Sequence, residues 1–157
     1  VVNVIGTFRA GPGPEKIELP GYPPLGGLIC YEIIFPHQII DRNNRPGWLI
    51  NLTNDGWYGD SAGPRQHLVA ARLRAVEEGI SIVRAANTGI SAVINPLGIV
   101  NASLELNQSG VLDTFLPQPA DFSTTYSKCG NAFTLIWCLC NLVLAFYLTF
   151  RTLHIKN

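Results

Sequence analysis

The chain has 157 residues, a formal net charge of zero and only 14% charged side chains. With no basic run to neutralise phosphates, nucleic-acid binding has no electrostatic footing. The length suffices for one domain with a real core, and the 47% hydrophobic content with positive mean hydropathy has a local origin at the C-terminus.

There is no methionine, so the expectation is an internal start and a C-terminal part of a longer protein. Val1-Val2-Asn3-Val4-Ile5 resembles neither a signal peptide nor a start, lacking a basic segment and a long apolar core. Residues 6–27 are dense in glycine and proline, which predicts loops and turns with at most short strands between them. Glu15-Lys16 within it reads as a solvated turn.

Gly26-Gly27-Leu28-Ile29-Cys30-Tyr31-Glu32 is the stretch on which the rest depends. Leu28 and Ile29 suit a buried strand. Pro36 suits the first turn of a short helix expected over about residues 36–42. A cysteine at such a strand-to-helix corner projects its sulfur outward beside backbone N–H groups able to hold a thiolate or an oxyanion. The competing reading is that Cys30 is a small core hydrophobe.

Trp48-Leu49-Ile50-Asn51-Leu52 is a second apolar strand, ending in the polar and aromatic segment Thr53-Asn54-Asp55-Gly56-Trp57-Tyr58-Gly59-Asp60. Open α/β folds place their sites at the C-terminal ends of strands; a plain Asn/Asp/Gly turn is the alternative. Pro64 through Glu78 predicts a helix, with Asp60 or Ser61 as cap, Pro64 in its first turn, Gly79 as its stop and Val69, Leu73 and Val76 along one face. Arg72 and Arg74 could neutralise a phosphate, but a solvated or salt-bridged face is favoured. Residues 80–86 read as a strand, 90–94 and 99–104 as a hairpin, and 110–116 as one further strand. The order predicts an α/β layered domain.

The cysteines (Cys30, Cys129, Cys138, Cys140) and the histidines (His37, His67, His154) lack zinc-ligand spacing, so neither a metal nor a cofactor is expected. Residues 117–130 read as a linker. Residues 131–150 carry no charge and are long enough to cross the hydrocarbon core, which needs about 20 residues. Lys128 and Arg151 bracket the span, and Trp137 and Tyr147 lie within it. Asn141 near its middle is expected to face another helix. Arg151, His154 and Lys156 after the span place residues 151–157 on the cytoplasmic side and the domain on the other.

Taken together, Cys30-Tyr31-Glu32 with Phe35-Pro36, the block 51–59, Gly63-Pro64-Arg65-Gln66-His67, Ala71–Glu77 and Arg84-Ala85-Ala86-Asn87-Thr88-Gly89 resemble the nitrilase (carbon-nitrogen hydrolase) superfamily. With a terminal membrane span they are similar to its bacterial apolipoprotein N-acyltransferase branch. The resemblance implies the C-terminal part of an α-β-β-α sandwich over residues 1–116, followed by one transmembrane helix. It also implies a multi-pass protein of the bacterial cytoplasmic (inner) membrane, with the catalytic domain on the periplasmic side. The activity it implies is transfer of an acyl chain from a phospholipid donor, through a thioester on Cys30, to the N-terminal amine of a diacylglyceryl-cysteine apolipoprotein. The Tyr31 backbone N–H would hold the oxyanion and Glu32 would position the site. The resemblance further implies a glutamate base and a lysine upstream of Cys30. Lys16 lies only fourteen residues before Cys30, in the wrong context, and is not assigned that role; the chain alone is expected to be inactive. A hydrolase using water and a membrane-anchored module in which Cys30 is core remain the alternatives.

Overall fold

A computed structural model describes residues 11–155, with side chains through Arg151; the reading of Val1–Ile5 falls outside these residues. Its centre is a six-stranded sheet in sequence order: β1 (Lys16–Leu19), β2 (Tyr22–Ile29), β3 (Trp48–Asn54), β4 (Ser81–Asn87), β5 (Ser91–Ile94) and β6 (Val100–Leu104). β2, β3 and β4 run parallel, while β1, β5 and β6 join as antiparallel neighbours. α1 (Gly63–Glu78) connects β3 to β4 and covers one face. This is the α-β layering expected of one half of a four-layer sandwich.

Side-chain alternation decides which residues meet α1. Register places Leu28, Asn51, Arg84 and Ala92 in one row across β2 to β5. The core on that side comprises Leu28, Ile33, Ile39, Ile40, Leu49, Ala71, Ala75, Ile80, Ile82, Ala92 and Ile94. The opposite row runs Ile29, Leu52, Ala85 and is exposed.

Several expectations are corrected. Residues 16–29 form a genuine hairpin rather than loops, with an eight-residue β2. Its prolines are tolerated because parallel pairing with β3 begins only at Leu25, so Pro23 and Pro24 owe no ladder hydrogen bond there. Their carbonyls are used instead, accepting from the Trp48 indole N–H at 2.9 Å and the Gly47 N–H at 2.7 Å. No helix occupies 36–42. A 3-10 helix begins at the cysteine itself (Cys30–Ile34) and ends where Phe35, restricted by Pro36, turns extended. His37 then takes a positive φ of 65°, which no right-handed helix contains. Residues 110–116 pair with no strand among the described residues, and Val111 and Phe115 are exposed.

The face that α1 buries is not the Val69, Leu73, Val76 stripe, which is half exposed. It buries His67, Ala71, Arg74, Ala75 and Glu78. The two alanines allow close approach, and the polar residues are admitted because partners await them. Ser61 Oγ accepts from Gly63 N–H at 3.1 Å, while the cap position itself is Ala62. Gly79 ends the helix in the left-handed region at φ 64°.

The segment 117–130 is docked rather than a free linker. It contains α2 (Thr125–Cys129), capped by Thr124. Arg45 ties α2 to the end of α1, donating to Ser127 Oγ at 2.5 Å, Glu78 Oε2 at 3.1 Å and Glu78 O at 2.6 Å. Tyr126 stacks on His37 with ring centroids 4.6 Å apart. α3 (Ala132–Ile155) follows; its stretch Ala132–Arg151 is long and apolar enough to cross a membrane, and its side chains are exposed. The Asn141 amide nitrogen donates to Trp137 O of its own helix at 2.7 Å.

Candidate active site

Cys30 stands where β2 ends, with φ 50°. A non-glycine residue in the left-handed region is strained by about 1–2 kcal/mol, and such strain persists only where the surroundings over-determine it. They do so from both sides. Asn51 Nδ2 donates to Cys30 O at 3.1 Å, and the Glu32 carboxylate accepts from Ile29 N–H at 2.6 Å. The 3-10 helix starting here leaves its first N–H groups without intrahelical partners, and those of Cys30 and Tyr31 are among them. Tyr31 is half exposed, its ring edge-on to Phe35.

Beneath the cysteine lies a buried polar network that sequence reasoning left unassembled. Thr53 Oγ1 is 3.3 Å from Cys30 Sγ and 3.1 Å from Asp55 Oδ1. Asp55 Oδ1 is also 2.9 Å from His67 Nδ1, and Asp55 Oδ2 accepts from Arg84 Nη2 at 2.5 Å. Arg84 Nη1 donates to Asn51 Oδ1 at 2.6 Å. The Asp55 and Arg84 side chains are 0% exposed. The network is a closed ring: it starts at the cysteine sulfur and returns to the cysteine carbonyl.

The elements dictate this assembly. Period-two alternation aims Asn51, Thr53 and Arg84 at the α1 side of the sheet, and α1 brings His67 down over them. An ionised Asp55 can only accept, so the His67 Nδ1–H donates to it. His67 Nε2 is then left buried without a hydrogen-bond partner among the described residues, between the rings of Tyr31 and Tyr58. Burial, with smaller contributions from Tyr31, Asp55 and Cys30, raises the Tyr58 hydroxyl above its ordinary range. Tyr58 is therefore a neutral donor at physiological pH, not a base. The available signal was Arg84: a charge in an otherwise apolar strand must have a buried partner.

Gly89 packs against this ring so closely that a Cβ there would collide with the Asp55 carboxylate. We expect Gly89→Ala to cost about 1–3 kcal/mol, the range for forced overpacking, read as a lowered thermal midpoint, and to slow alkylation of Cys30. Wild-type values of both would show that the carboxylate has room to move.

Cys30, Tyr31 and Glu32 thus lie together at one corner. Lys16 lies elsewhere, on β1, paired with Glu18 at 2.9 Å. Among the described residues no group of His, Cys, Asp and Glu could hold a metal ion.

Comparison with known proteins gives this corner its context. Over 131 residues the chain is 54% identical to the apolipoprotein N-acyltransferase of Rhodopseudomonas palustris, covering 83% of this chain and 24% of that protein. The enzyme of the same name from Bradyrhizobium diazoefficiens is 51% identical with the same coverage. That of Agrobacterium fabrum is 40% identical over 146 residues, 93% of this chain and 28% of that protein. The chain thus spans about a quarter of the length of these relatives. Among solved structures, two structures of one mutant of an amidase from Nesterenkonia sp. AN1 share the fold. One matches with TM-score 0.51 at 21% identity, over 64% of this chain and 40% of that one. The other matches with TM-score 0.54 at 19% identity, over 83% and 51%. The carbon-nitrogen hydrolase family model matches residues 3–119, which include the cysteine corner, the buried ring and the whole sheet, and the chain belongs to that family.

Proposed function

We propose that this chain carries the nucleophile of a membrane apolipoprotein N-acyltransferase. The observation that carries the reading is Cys30 itself: a strained cysteine at the C-terminal end of a central parallel strand, at the start of a 3-10 helix, in a chain about half identical to enzymes of that name. The Cys30 sulfur attacks the ester carbonyl of a phospholipid, and the carbonyl oxygen becomes an oxyanion facing the Cys30 and Tyr31 N–H groups. The carbon–oxygen ester bond breaks, the lysophospholipid leaves with a proton on its oxygen, and a thioester remains. The N-terminal amine of the apolipoprotein then attacks the thioester. An amide forms, the amine loses a proton, and the thiol returns, which is a ping-pong sequence. Glu32 acts at one remove by holding the Ile29 N–H and with it the corner.

The apolar helix α3 supports the membrane setting, and an acyl donor of the bilayer explains why a domain of this kind carries an anchor. Residues 11–116 make the catalytic layer, 117–130 dock it to the anchor, and the membrane span begins at 131. The lysines and arginines near the two ends of the span favour a cytoplasmic C-terminus, which puts the domain on the outer face.

The test is an acyl-trapping measurement on the full-length protein in phosphatidylethanolamine vesicles. We expect a mass increment of one acyl chain on the Cys30 peptide, removed by neutral hydroxylamine and by an added lipopeptide amine. A folded, membrane-inserted protein with no increment on that peptide overturns the reading. Release of free fatty acid without any acceptor amine would instead favour a hydrolase using water.

A further inference from the structure

The Thr53 hydroxyl has one proton and two acceptors. It lies 3.3 Å from Cys30 Sγ and 3.1 Å from Asp55 Oδ1, and it cannot donate to both at once. Asp55 is already engaged by two other donors, His67 on one oxygen and Arg84 on the other. It is thus a fixed acceptor at the foot of the site. These distances define two arrangements of one hydroxyl. In the first, the thiol S–H donates to Thr53 Oγ1 and Thr53 donates to Asp55. In the second, the sulfur has lost its proton and Thr53 turns its O–H to the thiolate.

We propose that Thr53 is a positioning residue for the nucleophile, a hydroxyl rotor that changes partner when Cys30 ionises. The proposal rests on Cys30 being the reacting group. No proton passes through Thr53: the thiol proton leaves to the base of the reaction, Thr53 keeps its own, and only the direction of one hydrogen bond changes. The ring through Arg84 and Asn51 to the Cys30 carbonyl fixes the backbone of the same residue, so rotor and sulfur are held in register. The titratable and charged groups around the sulfur are Asp55 and Tyr58 from the turn after β3, His67 from α1, Arg84 from β4, and Tyr31 and Glu32 beside it. Among the described residues, Thr53 is the side chain recorded within hydrogen-bond distance of the sulfur.

The experiment is the pH dependence of iodoacetamide alkylation, followed peptide by peptide, with the exposed Cys129 as an internal standard in every sample. Thr53→Val keeps the shape and removes the hydroxyl. We expect the Cys30 rate near neutral pH to fall about tenfold, a typical effect of one hydrogen bond to a charged acceptor. The profile should move to higher pH with its alkaline plateau retained, Thr53→Ser should restore the wild-type profile, and Cys129 should not change. A Val variant with the wild-type Cys30 profile overturns the proposal. Should that variant not fold, the unmodified protein still decides. Its Cys30 S–H stretch in the infrared, identified by its loss on alkylation, is expected below that of the exposed thiols, and an unshifted band overturns the proposal. The two readings fail separately: a shifted profile with no acyl adduct overturns acyl transfer alone, and an adduct with an unshifted profile overturns the rotor alone.

Discussion

Replacing Cys30 by alanine is expected to lower amide formation on a lipopeptide by at least about a thousandfold, since covalent catalysis is lost and water-like background chemistry remains. The measurement is lysophospholipid release together with the mass gain of the acceptor peptide, in the full-length protein. Stability should move little, because the side chain is small, only half-buried and tied to its surroundings by one weak sulfur contact. Cys30→Gly sharpens the point. Glycine relieves about 1–2 kcal/mol of left-handed strain, partly offset by a freer unfolded chain. The glycine variant should therefore melt at or above the wild-type temperature while forming no product. A cysteine that weakens the fold and is needed for turnover is under selection for chemistry. Retained turnover in either variant would assign Cys30 to the core.

Arg84→Met is expected to cost about 3–5 kcal/mol, the range for removing one partner of a buried ion pair. The guanidinium reaches Asp55, Asn51 and, from Nε, the Ile90 carbonyl at 3.3 Å, and its Nη2 lies 3.1 Å from His67 Nδ1. Methionine fills much of the volume but leaves the Asp55 carboxylate buried, with His67 and Thr53 as its remaining neighbours. Domains of this size are stable by about 5–15 kcal/mol, so the variant should unfold at a markedly lower denaturant midpoint. Adding Asp55→Asn should recover part of the loss, because it removes the unpaired charge; the double-mutant cycle measures the coupling directly. A single-variant loss below about 1 kcal/mol would mean that water reaches Asp55 and that the ring is not dry.

The residues proposed to carry the reaction and those that carry the site's architecture differ in how they could be found. Cys30, Tyr31 and Glu32 are contiguous, so one line of text displays them. The parallel strands β3 and β4 and the β5–β6 hairpin are equally legible, because short apolar runs bounded by Gly, Asn and Pro specify strands through local chemistry. So is the apolar span of α3, where length and absence of charge suffice.

The ring under the cysteine is a different matter. Asn51, Thr53, Asp55, His67 and Arg84 come from two strands, a turn and a helix, and no local rule connects them. Strand register brings Asn51 opposite Arg84, and the packing of α1 brings His67 onto Asp55. The same packing inverted the expected face of α1: the sheet takes Ala71 and Ala75 at close quarters, and the Val69, Leu73, Val76 stripe stays outside. Periodicity finds an apolar stripe but not the neighbour it faces. His37, Pro36 and the segment 110–116 show the complementary limit, since a turn or an unpaired edge depends on what lies beside it. The sequence by itself marked Cys30 as the candidate nucleophile and determined the strands from β3 to β6 and the membrane-length helix, all of them local patterns. Tertiary structure alone decided the left-handed corner of Cys30, its buried support and the docking of α2, because those are contacts between residues far apart in the chain.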